Sequence, residues 1–153
     1  MNSNSTASAV VHPCVPETGS VLELLRVLKH PEYILGLAAP SGLTAEYEGG
    51  GWEAAELEVR EVLAAHDAAP EVAFRVLAVA ARFLALHGLR LCGNPWLHVQ
   101  RFRDVAGISY VLHLDLDRED AITWNDRFYD VLASADLLNE VFSLNLRKRG
   151  PIR

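Results

Sequence analysis

The chain has 153 residues, half of them hydrophobic, and a formal net charge of −6. That length supports one domain around one core. The acidic balance disfavours nucleic-acid binding through a generally basic surface. Twelve of the fourteen cations are arginine, which we read as coding bias and not as chemistry. Cys14 and Cys92 match no CxxC or zinc spacing, so a reducing compartment is the simple expectation. Met1–Pro16 has neither the basic start nor the apolar run of a signal peptide, and cytoplasmic residence follows by default.

Met1–Gly19 is rich in Ser, Thr and Pro and reads as a flexible tail, with residues 20–153 as the domain. His12 and Cys14 are chance ligands within it. Ser20-Val-Leu-Glu23 is a capping box. It opens a short helix, Val21–Lys29, with Leu22, Leu25 and Leu28 as one stripe. His30-Pro31 breaks it, and Pro31–Leu37 supplies one or two further turns. Ala38–Gly51 reads as a mobile loop with a hinge at Gly49–Gly51. These glycines lack the preceding strand and the Lys-Ser/Thr of a phosphate loop.

Trp52–His66 is predicted to be an amphipathic helix, because Trp52, Ala55, Val59, Val62 and His66 step by three and four. His66 is expected to pack or to cap there. Pro70–His87 follows after three residues, and the two helices are expected to pack antiparallel. Pro70–His87 is the organising element: proline suits a first turn and Gly88 suits a left-handed stop. Its charges, Glu71, Arg75 and Arg82, keep to one line, and the rest of its surface is apolar. Such a rod, about 27 Å long, is buried by its neighbours. Arg75 and Arg82 exclude a membrane span.

Gly93-Asn94-Pro95 is a turn, after which the period changes to two. Trp96–Arg103 and Ile108–Asp115 form a β-hairpin joined by Asp104–Gly107. Leu97, Val99, Ile108, Tyr110, Leu112 and Leu114 belong on the inner face, which fixes the parity of the pairing. With Arg103 opposite Ile108, Val99 faces Leu112 and His98 faces His113. Asp117 caps a helix over Arg118–Ala133, lined by Ile122, Asn125, Tyr129 and Leu132. Leu137–Glu140 is expected to be a helical turn, and Val141–Lys148 alternates as a third strand.

The fold class is therefore α+β: a helical N-terminal half packed on a small antiparallel or mixed sheet of hairpin, helix and third strand. Three sites follow. His98, His113 and Asp115 on the outer face would suit a divalent transition metal, because cross-strand Cβ atoms lie ~4.5–5.5 Å apart. Arg101 and Arg103 with Arg147, Lys148 and Arg149 would make a basic edge for an anion or a nucleic-acid backbone. Phe102 and Val111, with Gln100 beside them, leave a half-apolar open face for a second copy of the chain or another protein. The acids Asp115, Asp117, Glu119 and Asp120 are accounted for by capping and helix-dipole compensation. No spacing signals a catalytic set, so no catalytic residue is assigned. The leading expectation is a non-enzymatic interaction or regulatory module, self-associating through its sheet. A metal-dependent enzyme or small-ligand binder at His98 and His113, and an anion contact at the arginine edge, are the alternatives.

Overall fold

The computed structural model describes residues 19–36 and 42–148, with the main chain alone at Phe102. The expected tail, its His12 and Cys14, part of the loop after Leu35, and Arg149 lie outside the described residues. The elements run α1 (Val21–Lys29), α2 (Glu32–Leu35), β1 (Glu46–Tyr47), α3 (Trp52–Ala65), α4 (Glu71–His87), β2 (Trp96–Phe102), β3 (Val105–Leu114), α5 (Arg118–Ser134) and β4 (Phe142–Lys148). The fold is α+β, with helices packed on a four-stranded mixed sheet of order β1-β2-β3-β4. β2 and β3 are antiparallel, while β1 runs parallel to β2 and β4 parallel to β3. No described helix is long and apolar enough to cross a membrane.

Local chemistry sets most of the boundaries. The Ser20 Oγ accepts the Glu23 N–H and the Glu23 carboxylate accepts the Ser20 N–H, so the capping box forms in full. Leu24, Leu25, Val27 and Leu28 face inward, and Leu22 instead lies exposed. α4 starts after Pro70 and ends on Gly88 at φ 63°. It buries Ala73, Phe74, Val76, Leu77, Val79, Ala80, Ala81, Phe83 and Leu84, while Leu86 points to solvent.

α3 and α4 do not form the expected antiparallel pair. α3 makes its main contacts with α1, β2 and β3, whereas α4 makes its own with α2, α5 and β4. The short Asp67–Ala69 link turns on Asp67 at φ 49° and sends the two rods to different parts of the sheet. His66 ends α3 and donates from Nε2 to the Ala106 carbonyl at 2.7 Å. It thus caps its own helix through its backbone N–H, which meets the Val62 carbonyl, and ties helix to sheet through its ring.

The inner face of the sheet is the expected one. Leu97, Ile108, Tyr110, Leu112, Leu114, Phe142, Leu144 and Leu146 are all buried and share one hydrophobic cluster with the helices. Tyr110 reaches across it to donate its hydroxyl to the Leu28 carbonyl at 2.6 Å. Helix-end carbonyls have no partner within the helix, so this phenol completes the end of α1. Burial, with a smaller push from Glu32, raises the Tyr110 hydroxyl far above its ordinary value.

The hairpin register differs from the expected one by a slip that preserves parity. The turn is two residues, Arg103-Asp104, with Arg103 at φ 57°. Phe102 therefore faces Val105, Val99 faces Ile108 and Leu97 faces Tyr110. The tighter turn lets Val105–Gly107, read as connection, join the ladder. Gly107 has its own reason to lack a side chain. A Cβ there would stand 2.7 Å from the Glu140 carbonyl oxygen. That close passage lets Ile108 donate to Val141 and start the parallel β3–β4 pairing. No helical turn precedes β4; the Asn139 Oδ1 accepts the Val141 and Phe142 N–H groups and turns the chain into the strand.

Candidate anion site

The new register separates the two histidines. His98 faces Ser109, and the ladder between β2 and β3 ends at Trp96 and Val111, two residues short of His113. Four strand steps, about 13 Å, lie between His98 and the position opposite His113. His113 is buried and donates from Nδ1 to the Asn94 carbonyl at 3.1 Å, its ring edge-on to Trp96. His98 keeps Nδ1 buried with no hydrogen-bond partner among the described residues. Asp115 lies past the end of β3, where its N–H meets the Arg90 carbonyl. The cross-strand pair that would have shared a metal is not formed. Among the described residues no group of three His, Cys, Asp or Glu is placed to hold one.

The outer face also differs from the expected open one. Val111 is 3% exposed, and Ser109 beside it is equally buried. Val111 is therefore not the exposed apolar anchor that the alternation suggested, although Gln100 does face solvent.

The expected arginine edge splits in two, because β4 joins β3 and not β2. Arg101 sits opposite Ala106 on β2, next to the turn residue Arg103. Its guanidinium meets the Glu58 carboxylate at 2.9 Å and Glu61 at 3.8 Å, both from α3. Glu58 also accepts the Tyr47 hydroxyl. Arg101 is thus matched by two acids and holds β2 to α3. Arg147 sits opposite His113, near the other end of β3.

There the sequence reading missed a cavity. It lies between α5 and the last residues of β4, has a volume of about 360 Å³, and is lined by Arg118, Ala121, Ile122, Asn125, Asn145, Leu146, Arg147 and Lys148. Its placement follows from the β3–α5–β4 crossover. Two parallel strands end side by side, and the helix between them starts at that same end. Open sheets place ligand crevices at such carboxyl ends. The Asp117 side chain accepts the Asp120 N–H and closes the helix N-terminus, so the helix end itself is already satisfied.

The polar groups of the cavity are donors. Asn125 Oδ1 accepts the Leu146 N–H at 2.7 Å, and Asn145 Oδ1 accepts the Tyr129 hydroxyl at 2.8 Å. With both amide oxygens engaged, each side chain keeps its NH₂ group to offer. Burial raises the Tyr129 hydroxyl above its ordinary value, while the bond to Asn145 and the charge of Arg147 pull it back. Arg118, Arg147 and Lys148 enter no salt bridge among the described residues. Ala121 is buried, and Ile122, expected to face the core, is half exposed at the cavity rim. Arg147 and Lys148 were flagged in sequence as edge cations. Arg118 stands in sequence only as the first residue of the predicted helix, and the crossover brings the three to one cavity. Comparison with known proteins found no matching family model, no matching curated protein and no matching solved structure.

Proposed function

We propose that this chain is a binding module for a small anionic molecule, seated in the cavity between α5 and β4. One observation supports the reading. Three cations line one cavity without a carboxylate partner among the described residues, beside two amides whose oxygens are already occupied. Like charges that line one cavity repel, and an anion among them relieves that repulsion. The volume lies near the lower end of the ~300–1,000 Å³ typical of small-molecule sites, which favours a monomeric ligand over a polymer.

The test is an amide and side-chain NMR titration of the full chain with sodium salts of inorganic phosphate, acetate and benzoate, at matched ionic strength. Saturable shifts at the Asn125 and Asn145 side-chain amides support the reading. Shifts that never saturate, or that centre on Arg101, overturn it.

A second reading, self-association, is supported by the β2 edge. β1 covers only Trp96 and Leu97, and no described strand lies beside His98–Phe102 on that side. Exposed strand edges pair readily with another chain. Sedimentation equilibrium showing a concentration-dependent dimer supports it, and a strict monomer across the accessible range removes it.

A further inference from the structure

We propose that the molecule taken by the α5–β4 cavity is a phosphomonoester with a small apolar body, an inference that rests on the anion reading above. The number of donors points to the phosphoryl group. A carboxylate has two oxygens, and one arginine fork engages both. Here two arginines and a lysine line the same cavity as Asn125 and Asn145. The three terminal oxygens and near-double charge of a phosphomonoester at neutral pH match that set, and a carboxylate leaves most of it unused.

The rest of the lining points to the organic part. Ile122, half exposed, supplies the cavity's main apolar surface, with the buried Ala121 and Leu146 behind it. Inorganic phosphate would fill the cationic part alone and leave this wall wet. An ester with a ring or short chain covers it, and burying apolar surface adds to affinity in proportion to area. The arginines come from two elements, Arg118 from the first turn of α5 and Arg147 from β4. The ligand therefore spans the crossover and would draw α5 and β4 together.

Calorimetric titration of the full chain with phenyl phosphate, inorganic phosphate, benzoate and phenol tests this. We expect one site per chain, with phenyl phosphate bound at least tenfold more tightly than benzoate or inorganic phosphate, and phenol not bound. Arg147→Gln and Lys148→Gln should each weaken phenyl phosphate at least tenfold, and Arg101→Gln should leave it unchanged. Benzoate bound as tightly as phenyl phosphate overturns the phosphoryl assignment and keeps the anion site. Inorganic phosphate bound as tightly as phenyl phosphate overturns the apolar body. No binding of any anion overturns this inference and the anion reading together. Binding lost in Arg101→Gln but kept in Arg147→Gln moves the site elsewhere and overturns both.

Discussion

Arg101 and Arg147 both stand near the end of a β-strand beside a helix, yet their surroundings are opposite. Arg101 is held by Glu58 and Glu61 of α3. Arg147 shares its cavity with Arg118 and Lys148 and enters no salt bridge among the described residues. Residue type therefore says little about an arginine's use; the helix packed beside it decides. α3 brings glutamates to its strand and makes a structural clamp. α5 is capped by the Asp117 carboxylate and brings Arg118 to the cavity beside β4, where it enters no salt bridge among the described residues.

The comparison can be broken at the platform that carries each side. Phe128 is fully buried on α5 and packs against Phe83 of α4, so it seats the helix that makes the cavity. Phe128→Ala should cost about 3–5 kcal/mol, read by chemical denaturation; a loss under about 1 kcal/mol would mean α5 is not seated this way. Tyr110 supports the α1 side. Tyr110→Phe leaves the Leu28 carbonyl buried without its donor and should cost about 1–3 kcal/mol.

The same phenol gives a pH dependence. Its hydroxyl is raised above the ordinary tyrosine value of 10.0, so the unfolded chain releases that proton at a pH where the fold keeps it. Stability is therefore fully present below about pH 10 and falls as the pH rises beyond it. Denaturation curves across that range should show the fall, and Tyr110→Phe should make it shallower. An unchanged slope would remove Tyr110 as its source.

The smallest effects sharpen the contrast most. Arg101 is half exposed, so its clamp is worth about 0.2–1 kcal/mol, and Arg101→Gln should lower stability by that amount. Arg147→Gln breaks no salt bridge among the described residues and should leave stability within about 0.5 kcal/mol of the parent. If Arg147→Gln destabilises more than Arg101→Gln, Arg147 is a structural clamp and the distinction between the two margins fails.

Much of this architecture was legible in the chain. The α4 rod, the capping box, the Asp117 cap and the third strand each have a local cause: proline and glycine at the ends, a Ser–Glu reciprocal pair, an acid before a helix, a period of two. The inner-face residues were legible as well, because burying them fixes strand parity. Register was not. A slip that conserves parity keeps the same leucines inside, and the choice was made by Arg103 taking a positive φ, which nothing in its side chain announces. That one turn separated His98 from His113. β1 was missed because two residues carry no period. The cavity was missed because it depends on β4 pairing parallel with β3, which places Arg118 and Arg147 together although they are far apart in sequence.

The bare α-carbon at position 107 has a reach well beyond its own turn. It is the point where the crossover returns to the sheet, and the backbone there leaves no room for even a methyl group. A diverged relative that kept this topology but carried any larger residue at 107 would have to begin its last strand elsewhere. That single position therefore marks where the alignment of the final strand is recorded, and it is the landmark by which the topology can be traced through sequences otherwise unrecognisable.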